Sequence, residues 1–237
     1  MFCRICILSR VQCLKFNHMR DVFAFLSELR LNNNKEWFDE NRLRYEESRK
    51  KVLSLTELVI NEIKRFDPEI GNIAAKDCVF RIFRDVRFSN DKTPYKTNMG
   101  SFIARGGRKS VGAGYYFHIE PGGSFVGGGA YCPPADVLKA IRTEIFDHPE
   151  AFKKMINSDS FSKTYPEMYD DQLKTPPKGF PKDFPDIGLL KYKSYAFTSR
   201  IPDSELVGND FSGKIVTAFK ELAPVNHFLN IAIDKWL

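Results

Sequence analysis

Apolar residues recur at three- and four-residue steps along the first quarter of the chain. Over residues 19–31, Val22, Phe23, Leu26 and Leu29 fall on one face and predict a short amphipathic helix. Asn32-Asn33-Asn34 interrupts the pattern. Asn33, followed three residues later by Glu36, reads as a capping box that opens a long helix over residues 35–65. Trp37, Phe38, Val52, Leu55, Val59, Ile60 and Ile63 supply its apolar stripe, and the charged stretch 40–51 is expected to be solvated. Asp67-Pro68 ends it, because the residue before a proline is pushed out of the helical region.

The pattern changes over residues 79–131, where aromatic and β-branched residues dominate and glycines mark the breaks. Strands are expected near 79–88, 101–105, 115–120 and 124–131, the last two joined as a hairpin by Pro121-Gly122-Gly123. Pro133-Pro134 ends the sheet region. A helix follows over 135–146 with Val137, Leu138, Ile141 and Ile145 on one face, and Pro149 opens another at its first turn. Residues 158–190 are proline-rich and read as an irregular surface segment; 194–200 is one more strand. Two C-terminal helices, 210–222 and 224–237, complete the pattern. The fold class is α+β, an antiparallel sheet packed with N- and C-terminal helices.

Composition limits the function classes. The chain has 237 residues, is 43% apolar and carries a net charge of +6, which excludes a disordered tail or a disulfide-stapled miniprotein. No apolar run approaches the roughly 20 residues of a bilayer span, so no membrane partner is expected. Nothing resembles a linker, and residues 19–237 are read as one domain. Residues 1–18 lack helical periodicity and are read as a non-native or disordered extension preceding a natural start at Met19. An alternative use of that segment is zinc binding by Cys3, Cys6, Cys13 and His18, although paired knuckles are missing. Five cysteines, an odd number with three crowded at the N-terminus, fit a reducing, cytoplasmic setting.

The charge is unevenly spread. Between residues 76 and 110 nine bases face three acids, an excess equal to that of the whole chain. Arg84, Arg87, Lys92, Tyr95, Lys96 and Arg108 are therefore candidate ligand-binding residues for an anion, phosphate oxygens being matched to guanidinium forks. Asp85 is a candidate catalytic carboxylate that, beside Arg84 and two residues from Arg87, also has the position to steady one of them. The loop Gly106-Gly107-Arg108-Lys109 is expected to be a flexible basic flap. The bland alternative is that Arg81, Arg84 and Arg87 pair with acids from elsewhere in the chain, such as the Glu-rich long helix, and form a solvated face.

In the hairpin, alternation places Tyr116, His118 and Glu120 together on one face. A histidine beside a glutamate at strand spacing is a candidate acid/base pair, so His118 and Glu120 join the catalytic candidates. The pair lacks a third metal ligand nearby, and neither metal nor cofactor is expected. Gly127-Gly128-Gly129 leaves the next strand bare, which permits close approach of a ligand or a second backbone. Phosphate-binding loops, dinucleotide fingerprints, nucleophile elbows and HExxH metal motifs are all lacking.

The segments 32–38 (NNNKEWF), 81–96 (RIFRDVRFSNDKTPYK), 115–129 (YYFHIEPGGSFVGGG) and 173–179 (LKTPPKG) resemble the uncharacterised bacterial family known as domain of unknown function 2461. The likeness starts at about Met19 and runs to the C-terminus. It implies no activity. The expectation is thus a cytoplasmic protein whose basic segment 81–109 holds a phosphate-bearing small molecule or nucleic acid, with proton transfer by His118 and Glu120 if chemistry occurs. The alternatives are a protein-interaction module using the long helix and the proline-rich loop, and a metal hydrolase.

Overall fold

A computed structural model describes residues 18–236 except 88, 89, 207 and 209. Residues 1–17 of the N-terminal extension, with the candidate zinc ligands Cys3, Cys6 and Cys13, lie outside the described residues, and His18 is the first residue of a helix. The architecture is α+β: a four-stranded antiparallel sheet in the order β1-β2-β3-β4 with helices covering one face.

Helix α1 (His18–Leu31) buries Val22, Phe25, Leu26 and Leu29. Where one long helix is expected next, there are two, α2 (Lys35–Glu40) and α3 (Arg42–Ile63). Asn41 makes the break, its side-chain amide and backbone N–H both donating to the Trp37 carbonyl. The N-cap of α2 is Asn34, whose side chain accepts from Trp37 N–H at 2.9 Å. Asn33, expected to be that cap, instead clamps a distant strand-like segment: it donates to Tyr95 O and accepts from Tyr95 N–H.

The segment after α4 (Ala75–Cys78) is extended but is no ladder strand. Of residues 79–88, expected to form one, the described ones pair with other segments only as isolated β-bridges, Val79 to Ser101 and Phe83 to Tyr95. The sheet proper comprises β1 (Met99–Ile103), β2 (Gly114–Ile119), β3 (Phe125–Ala130) and β4 (Tyr195–Arg200), so the expected hairpin and final strand are present. Between β3 and β4 run α5 (Ala135–Asp147), α6 (Pro149–Ile156), α7 (Asp159–Thr164) and α8 (Ile187–Leu190). The last two occupy a stretch expected to be irregular.

After the short α9 (Asp203–Leu206), one 26-residue helix, α10 (Phe211–Trp236), replaces the expected pair. Pro224 lies inside it. The apolar stripe of Ile215, Phe219, Leu222, Val225 and Leu229 continues across the proline and is fully buried. That burial, about 1.5–3 kcal/mol per large apolar side chain, outweighs the one helix hydrogen bond that proline removes. Helix α10 crosses the sheet's inner face, where Tyr115 and Phe219 approach at 5.1 Å. Asn226 and Asn230 of the same helix hold the start of β2 through Gly114 O and both backbone groups of Ala113.

Candidate functional site

The outer face of the sheet is not filled by helices. It forms the floor of a cleft of about 710 Å³ lined by residues from widely separated parts of the chain. Its base is β2 and β3. Directly opposed residues share a face, so Tyr116 and Gly127, and His118 and Phe125, look outward together. The glycine at 127 is required: a Cβ there would lie 2.2 Å from Phe197 O on β4. Phe80, Lys96, Asn98 and Phe102 form one wall, and Arg108 with residues 110–112 forms another. Tyr131 and Tyr169, edge to face at 5.2 Å, stand at the rim.

A chain of hydrogen bonds runs along the outward side of β2. The Tyr116 hydroxyl lies 2.8 Å from His118 Nδ1, and His118 Nε2 lies 3.0 Å from Glu120 Oε2. Thr97 Oγ1 donates to the other Glu120 oxygen at 3.0 Å. Phe125 stacks on the imidazole, centroids 4.7 Å apart and planes 17° from parallel. The expected His118–Glu120 pairing is therefore formed. Tyr116 extends it by one member. Burial, and then the Glu120 charge, push the Tyr116 phenol up to about 12.

Lys96 reaches the same cleft because extended backbone alternates. Tyr95 turns inward and stacks on Phe38 at 3.9 Å, while the next residue turns outward. The Lys96 ammonium lies over the Phe80 ring, 5.5 Å from its centroid, and Phe80 meets Tyr116 edge to face at 6.1 Å. Burial, and then the charges of Arg81 and Arg84, hold Lys96 below the ordinary lysine value. Among the described residues Lys96 has no ion-pair partner. Arg108 donates to the Lys76 carbonyl at 3.0 Å and likewise has no carboxylate partner among the described residues.

A family model described as a conserved hypothetical protein (DUF2461) matches residues 21–228. The chain belongs to the DUF2461 family. No curated protein and no solved structure matches it. Among the described residues no helix is long and apolar enough to cross a membrane, and no group of three or more His, Cys, Asp or Glu side chains could hold a metal. The family's description names no ligand or reaction, so the geometry of this chain carries the functional argument.

That geometry divides the candidate residues. His118, Lys96 and Arg108 line the cleft, and Glu120 joins them through the imidazole. Arg84, Arg87, Lys92, Tyr95 and Asp85 do not line it. Arg84 pairs with Asp91 and Arg87 with Asp85, and the Lys92 ammonium donates to Val86 O. The Arg87 side chain and then its backbone N–H hold the Asp85 carboxyl below the usual range. The basic loop is a short 3-10 turn, Gly107–Lys109, tied by Gly107 N–H to Ala104 O and packed so that a Cβ at Gly107 would meet Asp77 O at 2.8 Å. An ordered turn replaces the expected flap. The residues missed by sequence reasoning are Phe80, Tyr131 and Tyr169, brought in from remote segments with no local signal, and Gly100, discussed below.

Proposed function

We propose that the cleft binds an anionic, phosphate-bearing small molecule with an apolar or aromatic part. One observation carries this reading: two cations without carboxylate partners among the described residues, Lys96 and Arg108, line a mainly apolar cleft beside a Tyr116–His118–Glu120 hydrogen-bond chain. A cavity of about 710 Å³ falls within the roughly 300–1,000 Å³ range of small-molecule sites. An ammonium held partly out of water gains most from an anion that replaces lost hydration. Phe80 and Tyr131 would flank the ligand's apolar part, and the bare floor at Gly127 lets it lie against backbone. The free thiols Cys78 and Cys132 accord with a reducing, cytoplasmic setting.

The test is calorimetric titration with phenyl phosphate and a nucleotide panel. Binding by the wild-type protein, weakened about tenfold or more in Lys96→Ala and in Arg108→Ala, is the expected result. Arg84→Ala, whose guanidinium is held by Asp91 away from the cleft, should bind as the wild type does. Unchanged binding in both cleft variants overturns the reading. Exclusive binding to nucleic acid with steep salt dependence would replace it with a phosphate-backbone interface. A second reading is an interaction module which, in place of the long helix and proline-rich loop expected to serve it, would use the exposed apolar rim residues Tyr131, 62% exposed, and Val111, 52% exposed. It predicts protein capture that survives Lys96→Ala.

A further inference from the structure

Both nitrogens of the His118 ring are already engaged. Glu120, as a carboxylate, only accepts, so Nε2 carries the proton of the neutral imidazole. Nδ1 is then the acceptor, and the Tyr116 hydroxyl donates to it. Phe125 closes one ring face, and the His118 side chain is only 12% exposed. The imidazole has no nitrogen left for a ligand. The hydroxyl oxygen of Tyr116, in the wall of the cleft, still has lone pairs to offer.

The place of that oxygen is secured from the neighbouring strand. Gly100 of β1 lies opposite His118 in register, and the Tyr116 side chain leans over it. A Cβ at Gly100 would come 2.6 Å from the Tyr116 oxygen and 3.0 Å from its ring carbon. Any residue but glycine must move the hydroxyl. Gly100 has no positive φ, so space rather than backbone conformation requires it. Thr97 fixes the far end of the chain by donating to Glu120.

We infer that the Tyr116 hydroxyl is the proton-transfer group of this cleft, with His118 and Glu120 as positioning residues acting through it and Gly100 keeping its place open. The assignment rests on the cleft being a ligand site and specifies the chemistry available there. A proton leaving the ligand bonds to the Tyr116 oxygen while the Tyr116 proton passes to His118 Nδ1. The product is a deprotonated ligand and an imidazolium balanced by the Glu120 carboxylate. The reverse passage returns the proton. No metal, oxidant or further reactant enters, and the ligand class is one with an ionisable O–H or activated C–H beside its anionic group.

The wiring is testable without a ligand by long-range proton–nitrogen NMR of the histidine rings at mildly alkaline pH. The expected wild-type spectrum has a protonated, pyrrole-like Nε2 and a hydrogen-bonded, unprotonated Nδ1 for His118. Tyr116→Phe, which removes one oxygen, should move the Nδ1 signal downfield toward that of a free imine nitrogen. Gly100→Ala should move it in the same direction. A protonated Nδ1, or an Nδ1 signal unmoved by Tyr116→Phe, overturns the inference whether or not Gly100→Ala folds. Phenyl phosphate supplies the second arm. Its addition should shift the His118 signals in the wild type and not in Tyr116→Phe. Equal shifts in both mean that the ligand meets the imidazole directly, which also overturns the inference. Failure of the wild type to bind phenyl phosphate removes the anion site instead, the proton wiring then being decided by the ligand-free spectra.

Discussion

Strand β2 supplies both faces of the sheet from alternate residues, and the two faces have opposite characters. Tyr115, Phe117 and Ile119 are fully buried on the inner face, with Tyr115 against Phe219 of α10. Tyr116, His118 and Glu120, interleaved with them, are partly buried and joined to one another by hydrogen bonds. Tyr115 also spends its hydroxyl, donating to Asp67 at 2.6 Å, but that bond anchors the loop after α3. The same residue type therefore does structural work on one side of a strand and lines a cavity on the other. Burial decides the difference: the inner face is covered by a helix of continuous apolar stripe, and the outer face by short segments that leave space between them.

The largest expected effect tests that division directly. Phe117→Ala removes a fully buried ring between sheet and helices and should cost about 3–5 kcal/mol of unfolding free energy by denaturant titration. Tyr116→Phe, one residue away, should cost no more than about 1.5 kcal/mol, one hydrogen bond's contribution. Equal losses would erase the contrast between the faces. A smaller effect comes from the bare strand. At Gly128 a Cβ would point inward, 2.0 Å from Gly114 O and 2.5 Å from Leu222. Gly128→Ala should destabilise by about 1–3 kcal/mol through overpacking. A neutral result would mean that β3 is free to shift away from α10.

The two faces also differ in how much of them the sequence discloses. Alternation along residues 115–120 places Tyr116, His118 and Glu120 together, and the glycine run at 127–129 marks a strand with no side chains to pack. Those are local signals, readable with a period of two. The cleft itself joins Phe80, Lys96, Arg108, Tyr131 and Tyr169, and no spacing rule links positions that far apart. The helix break at Asn41 and the continuity of α10 through Pro224 have tertiary causes: a side-chain amide takes over a helix carbonyl in the first case, and burial on both sides of the proline overrides its local cost in the second. The charge excess of residues 76–110 is correct as arithmetic. Its meaning depends on pairings over two to seven residues, Arg87 with Asp85 and Arg84 with Asp91, which separate the cations held at the turn from the two that line the cleft.

Alkaline pH sharpens the comparison between the neighbouring tyrosines. Burial is the main cause that raises both phenols, Tyr116 from 10.0 to about 12 and Tyr115 further still. A group whose folded value is raised contributes stability that is fully present below its unfolded value and is lost as pH rises through the folded one. Tyr116 should therefore favour folding below pH 10 and lose that contribution between about 10 and about 12. Unfolding free energy measured across this range should fall more steeply in the wild type than in Tyr116→Phe, which lacks the ionisable group. The residual slope in the variant includes the contribution of Tyr115. Glu120→Gln should soften the wild-type slope, since the Glu120 charge is the second cause of the Tyr116 shift. Identical slopes in wild type and Tyr116→Phe would place the phenol in an environment as wet as the unfolded chain.

The smallest expected effect lies at the basic turn. Arg87 and Asp85 form a bidentate contact with the guanidinium side chain 76% exposed. Water and salt screen such a pair, and exposed ion pairs contribute little. Arg87→Ala should leave the denaturation midpoint unchanged within error and should leave phenyl phosphate binding as it is in the wild type. The cations differ in whether they have already met an anion. A guanidinium held by a carboxylate two residues away must break that contact before it can hold a ligand, whereas Lys96 lies over the Phe80 ring and has no carboxylate partner among the described residues. If Arg87→Ala weakened phenyl phosphate binding as much as Lys96→Ala, the turn and the cleft would be one binding surface, and the division drawn between paired and available cations would fail.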